Sequence, residues 1–300
     1  MRSNRIGIYV LAILAMLFWG SSFIWYKIIY LYYKPFSVVI LRLLISGSFL
    51  IIVSILFNKR EKIQRIDLKY FFLLAFFEPF AYFLCESLGM QYVSATMGAI
   101  IISFIPLLTP VFSLIFLKEK ITYFGIFGII ISFMGILLVV VKNNDSTSSF
   151  KGIILMFLAV LSAIFYGILL KKISAKYSSI TIIKTLNIIA LIYFLPLFFI
   201  LEWNHFITVI PNFQAIMTLL KLSLFASGLA FIFITIVVRN IGLNNTNIFA
   251  NLIPVFTAFI AYLVLKEEFS LRKIIGIIIV ISGLFLSQIP FFMKKFQEHK

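Results

Sequence analysis

Ten stretches of the chain are apolar enough and long enough to cross ~30 Å of hydrocarbon, each near the ~20 residues a spanning helix needs. They run approximately over residues 7–26, 36–57, 70–88, 94–117, 121–141, 152–170, 181–201, 215–238, 244–265 and 271–289. In lipid the backbone must satisfy itself, so runs of this length predict helices. The longest connections are 58–69 and 202–214. No extramembrane domain fits between the stretches, so function must lie within the membrane. Composition agrees: 12 % of residues are charged and 63 % hydrophobic, against roughly a quarter charged in soluble domains. Arg2 and Arg5 before an apolar run imitate a secretory leader, but the run continues through Trp19 to Tyr26 without a small-residue cleavage site and is expected to be the first span.

A net charge of +16 in a soluble protein would suggest nucleic acid, so its distribution decides its meaning. With a cytoplasmic N-terminus, the inner connections and ends hold 16 Lys or Arg, including Lys59, Arg60, Lys62, Arg65 and Lys69, whereas the outer ones hold seven. Arg42, Lys184 and Lys221 fall within spans. This asymmetry predicts a multi-pass protein of the cell (inner) membrane with both termini cytoplasmic, lipid as its surroundings and no nucleic-acid partner. The single Cys85 excludes a disulfide framework, and with only His205 and His299 no metal site is expected. No His-Glu-x-x-His run, Gly-x-Ser-x-Gly elbow or phosphate-binding glycine loop occurs. The sequence therefore predicts no catalytic residues and no cofactor, and an intramembrane enzyme, the rival from another class, lacks its machinery.

The chain also matches itself. At an offset of 148 residues Pro106 meets Pro254, Thr109 meets Thr257, Leu117-Lys118-Glu119 meets Leu265-Lys266-Glu267, Gly128 meets Gly276 and Gly135 meets Gly283. Weaker matching at 144 residues places Leu14-Ala15 and Lys27 on Leu158-Ala159 and Lys171. Matching elements lie five spans apart, and an odd number of crossings turns the second copy upside down. The expected fold is thus an all-α membrane protein of ten transmembrane helices in a 5+5 inverted-topology repeat, with Asn143 to Ser149 as the joint. Exchanging the conformations of two inverted halves opens one central site to alternate sides, which argues for transport.

Trp19-Gly20-Ser21-Ser22, Pro106 with Leu-Lys-Glu at 117–119, and the echoes at Pro254 and 265–267 resemble the drug/metabolite transporter (DMT) superfamily, EamA type. The resemblance covers essentially the whole chain. It implies two five-helix repeats, over 1–142 and 150–290, and a central cavity for amino acids or related metabolites, often exported. Ala163 to Tyr166 stands where the tryptophan motif would recur, so the pocket is expected to be asymmetric. Nucleotide sugars, drugs and cofactors are alternative cargoes within the resemblance, and passive facilitation an alternative to coupled transport.

Charged groups at the centre of a bilayer need a partner or an aqueous cavity. Glu78 lies about nine residues into the third stretch, ~13 Å deep, and Glu86 two turns higher, with Tyr82 between them on much the same face. Arg42, ~9 Å from the outer end of the second stretch, falls between their levels. An ion pair with one glutamate is geometrically feasible, and two carboxylates against one guanidinium leave one in excess. Glu78, the deeper, is expected to be that group, binding a substrate ammonium or taking up a coupled proton. Pro79 denies its helix a hydrogen bond, and Pro106 and Pro254 are expected kink or gating elements. The remaining cavity candidates are Trp19, Ser22 and Tyr166, with Asn187 in the seventh stretch and Asn247 and Asn251 one turn apart in the ninth. The expectation for function is a secondary transporter of small organic metabolites, and a complete repeat in one chain makes a working monomer reasonable.

Overall fold

The computed structural model describes residues 5–56, 61–117, 123–140, 149–174, 176–242, 246, 249–268 and 270–297. Among them every regular element is helical. The helices are α1 (Arg5–Ile29), α2 (Pro35–Leu56), α3 (Leu68–Ala75), α4 (Tyr82–Gly89), α5 (Ala95–Ile102), α6 (Ile105–Leu117), α7 (Tyr123–Val140), α8 (Phe150–Ser174), α9 (Ser179–Leu201), α10 (Trp203–Phe206), α11 (Phe213–Lys221), α12 (Ala230–Ile241), α13 (Leu252–Leu265) and α14 (Leu271–Gln297). A kinked segment, Phe76–Ala81, joins α3 to α4, and a wide π-helical segment, Leu222–Leu229, joins α11 to α12.

Seven helical segments are long and apolar enough to cross a membrane, and Tyr123–Gly135, Leu252–Leu265 and Ile274–Gly283 are shorter apolar helices. The ninth expected stretch falls short for a local reason: a turn at Ala250 and Asn251 delays continuous helix to Leu252. The fourth is interrupted at Ser103 and Phe104, just ahead of Pro106, whose missing N–H leaves the Ile102 carbonyl without its helical donor. Large apolar side chains such as Ile52, Phe127, Ile200 and Phe259 point outward, as they do when the surroundings are hydrocarbon rather than water.

Helix ends are capped by side chains. Ser94, Ser178 and Asn212 accept from the backbone N–H three residues on, at α5, α9 and α11. Carboxylates cap across the bundle. Glu202, at the end of α9, accepts from Phe36 N (3.1 Å), Ser37 N (2.7 Å) and Ser37 Oγ (2.8 Å) at the start of α2. Glu61, beyond the end of α2, accepts from Ser178 N (2.7 Å) at the start of α9. These two antiparallel helices pack along their length, and each N-terminus, where unpaired N–H groups favour an anion, receives the carboxylate that follows the other.

A second contact is reciprocal in the same sense. α7 and α14 form the most extensive helix pair. A methyl group on Gly135 would lie 2.9 Å from Gly276 O and 2.8 Å from Val280 N, and one on Gly283 would lie 2.7 Å from both Gly128 O and Ser132 N. Each pair of contacts becomes the other when residue numbers move by 148. Ser132 Oγ also donates to Val280 O (3.0 Å). Backbones approach this closely only where no Cβ intervenes. α1 packs on α13, α12, α11, α5 and the Leu222–Leu229 segment.

Candidate functional site

The tryptophan motif of α1 lies at the centre of the bundle. Gly20 admits α13 to close approach: Thr257 Oγ1 donates to Gly20 O (2.9 Å), and a Cβ on Gly20 would lie 3.0 Å from Phe256 Cβ. Trp19 Nε1 donates to Ala226 O (3.2 Å) in the π-helical segment, and its ring meets Phe231 edge-on. The hydroxyls of Ser21 and Ser22 donate to the carbonyls of Leu17 and Trp19 in their own helix.

Beside this motif lies a cavity whose water-accessible volume is about 170 Å³. Of the residues expected from sequence, Trp19, Ser22, Arg42, Glu78, Tyr82, Glu86, Tyr166 and Pro106 line it. The lining runs from Arg42 and Glu86 to Leu170, Val238, Thr246 and Ala250, near the helix ends on the side where α1 begins. Toward the other side, α1 is tied to the end of α4 by Lys27 Nζ donating to Met90 O (2.6 Å) and Tyr30 Oη to Ser87 O (2.9 Å). Glu267 closes the same end by accepting from Ala95 N (2.9 Å) and Thr96 Oγ1 (2.7 Å) at the start of α5.

Arg42 is buried, 2 % exposed, and engaged through its Nε and Nη1. Its Nε donates to Ser227 Oγ and its Nη1 to Tyr26 Oη. Nη1 lies 3.7 Å from Glu86 Oε2, and the guanidinium carbon sits 4.0 Å from the Phe83 ring centroid. Glu86 accepts from Tyr26 Oη (3.0 Å) and Tyr82 Oη (2.9 Å), one on each carboxylate oxygen. A buried charge pair is supported by further hydrogen bonds to its members, and the two tyrosines and Ser227 supply them at both carboxylate oxygens and at Nε and Nη1. The ion pair that depth arithmetic allowed is thus Arg42 with Glu86. Tyr26 and Ser227, which complete it, were not among the expected residues. Tyr26 was legible in principle, because a tyrosine one turn before the C-terminal end of α1 sits at the depth of Glu86, one turn before the end of α4.

Glu78 differs. The helix is broken at its position, where the backbone is extended (φ −144°, ψ 122°) ahead of a cis bond to Pro79. Its side chain is 8 % exposed, faces the cavity, and makes no hydrogen bond or ion pair among the described residues. The adjoining Phe77 carbonyl is met by Ser162 Oγ of α8 at 2.7 Å.

Four expected residues lie elsewhere. Asn187 does not reach the cavity: its amide donates to Ser46 Oγ (2.9 Å) and joins α9 to α2, the ordinary use of an amide between membrane helices. Pro79 and Pro254 are buried behind the lining rather than in it. Asn251 is buried on the turn before α13, between the lining residues Ala250 and Ile253, and neither amide atom has a partner among the described residues. Asn247 lies outside the described residues. No group of three His, Cys, Asp or Glu that could hold a metal occurs among the described residues.

A sequence profile of the EamA-like transporter family matches residues 6–141 and 150–288. The chain belongs to the EamA-like transporter family. Similar proteins include an uncharacterized transporter of Archaeoglobus fulgidus, 27 % identical over 278 residues that cover 93 % of this chain and 97 % of that protein. The uncharacterized transporter YetK of Bacillus subtilis is 26 % identical over 293 residues, 95 % of this chain and 88 % of its own length. A solved crystal structure superposes with a TM-score of 0.69 at 12 % identity, covering 94 % of this chain and 98 % of that one, a likeness of fold alone. As an EamA-like transporter the chain is a multi-pass membrane protein that moves a small molecule, and it is not an enzyme.

Proposed function

We propose that this transporter is a secondary carrier of small amino compounds, amino acids or related metabolites, working by alternating access at the Glu78 cavity in the direction of export. The observation that carries the reading is Glu78 itself, a buried carboxylate on the cavity wall with no hydrogen-bond or ion-pair partner among the described residues. Burying an unpaired charge is costly, and a ligand ammonium or a coupled proton removes the cost. Arg42 with Glu86 is a structural pair, so an ionised Glu78 leaves the cavity with one negative charge in excess. That charge disfavours the nucleotide-sugar alternative, whose phosphates are anionic.

Alternating access draws support from the reciprocal contacts. Glycine contacts that exchange at an offset of 148 residues, and caps that exchange between α2 and α9, are what an in-plane two-fold relation between two five-helix halves, 1–142 and 150–290, would produce. The cavity reaches toward one side and is tied shut toward the other, one of the two states the mechanism needs. Pro106 at the break between α5 and α6 and Pro254 beside the turn before α13 are the proposed gating points. The charge asymmetry between connections assigns the open side to the cytoplasm and both termini with it, with the protein in the cell (inner) membrane and a single chain as the working unit.

The test is uptake and efflux of a labelled amino-acid and amine panel in proteoliposomes, with and without a pH gradient. Saturable flux that responds to the gradient in wild type, and loses both saturation and response in Glu78→Gln, is expected. Flux unchanged by the substitution removes Glu78 from the mechanism.

A further inference from the structure

The cavity presents acceptors and almost no donors. Among its described lining residues Arg42 is the only Lys, Arg or His, and its Nε and Nη1 are committed to Ser227 and Tyr26, with Glu86 balancing its charge and the Phe83 ring against the guanidinium. The lining hydroxyls turn their protons away. Ser22 donates to Trp19 O (2.7 Å), Thr109 to Ile105 O (2.6 Å), Thr235 to Phe231 O (2.7 Å) and Thr246 to Gly242 O (2.8 Å), each within its own helix or the adjoining turn. Only their lone pairs remain for a ligand. Trp19 Nε1–H is engaged by Ala226 O and the Tyr82 hydroxyl by Glu86. Tyr166 is the one lining hydroxyl with no partner among the described residues.

Resting on the transport reading above, we propose that the cargo is an organic amine with N–H donors, an apolar or aromatic body and no free carboxylate: an amine or amino amide rather than a zwitterionic amino acid. An ammonium carries three donors and no acceptor. It meets the Glu78 carboxylate and the hydroxyl lone pairs, while Trp19, Tyr166 and Phe231 enclose the body and favour a cation over their faces. A cargo carboxylate finds few donors, the Tyr166 hydroxyl and the Nη2 of an Arg42 whose charge Glu86 already balances, lies beside an ionised Glu78, and loses most of its hydration without replacement. Specificity against it is built by what the wall lacks.

The test holds the body constant and varies the ends. Phenethylamine, phenylalanine amide, phenylalanine, 3-phenylpropionate and N,N,N-trimethylphenethylammonium are compared for saturable binding to the purified, full-length protein and for flux in proteoliposomes. Phenethylamine and the amide are expected to bind at least about tenfold tighter than phenylalanine. Phenylpropionate should not bind, and the trimethyl compound, having lost its N–H donors, should bind more weakly than the amine. In Glu78→Gln amine binding is lost, while Glu78→Asp, keeping the charge, retains part of it. Melting temperatures read alongside separate a lost site from a lost fold. If phenylalanine binds as well as its amide, or the trimethyl compound as well as the amine, the amine assignment falls and the transport reading stands. If no member binds or moves, the amine assignment falls and the transport reading is judged on the wider metabolite panel alone.

Discussion

At an offset of 144 residues Trp19 falls on Ala163, Tyr26 on Leu170 and Arg42 on Leu186, and at 148 residues Glu78 falls on Ala226, Tyr82 on Ala230 and Glu86 on Ile234. The first half thus brings every ionised group that lines the described cavity, and the second half answers with small or apolar side chains, of which Ala163, Leu170 and Ile234 face the same space. Framework contacts behave the other way. The glycines of α7 and α14 and the carboxylate caps of α2 and α9 recur in both halves. On the proposed two-fold relation, packing is alike where the halves meet each other, and side-chain chemistry differs at the proposed ligand site. One carboxylate in excess, rather than a symmetric pair, is the consequence.

The largest effect expected from breaking this comparison is at the buried pair. Arg42→Leu leaves Glu86 without its counter-charge and should lower stability by about 3–5 kcal/mol, whereas Leu186→Met at the corresponding place should cost less than about 1.5 kcal/mol. Chemical denaturation in detergent measures both, and adding Glu86→Leu to Arg42→Leu should recover much of the loss. Next come the reciprocal glycines: Gly135→Ala and Gly283→Ala each press a methyl against backbone and should cost about 1–3 kcal/mol. Similar values sharpen the equivalence of the halves, and a large difference breaks it.

Smaller still are the caps. Glu202→Gln weakens three hydrogen bonds at the start of α2 and should cost about 0.5–2 kcal/mol. Glu61, exposed, should contribute least and show it through pH. Partial burial pushes its carboxyl upward, but hydrogen bonds from the Ser178 N–H and the Thr181 and Ser178 hydroxyls, with the Arg239 charge, hold it below the ordinary glutamate range. A depressed value means the contribution is present above the unfolded-state value, about 4.3, and is lost as pH falls through the folded one. Wild type should therefore lose melting temperature below that pH slightly faster than Glu61→Gln.

Much of this was legible in the sequence because lipid leaves few choices. Apolar length marked where helices form, and counting charge at depth isolated Arg42, Glu78 and Glu86. What was hidden depended on rotation about a helix axis. Nothing in the sequence told whether Asn187 turned toward the cavity or toward Ser46, or that Ser227, on a π-helical turn, would face Arg42. Hydroxyl direction was hidden too, since Thr109 and Thr235 become pure acceptors only once their protons are committed to their own helices.

The account separates two buried glutamates, one holding the fold and one holding a ligand, and the most direct measurement takes both in one preparation. Melting temperature and saturable exchange flux are read for Glu78→Gln and Glu86→Gln in the same proteoliposome-competent sample. Glu78→Gln should melt no lower than wild type, having lost no hydrogen bond or ion pair among the described residues, and should lose exchange, whereas Glu86→Gln should melt lower. A Glu78→Gln protein that melts well below wild type, or that exchanges cargo undiminished, would contradict the assignment of Glu78 as the ligand's carboxylate.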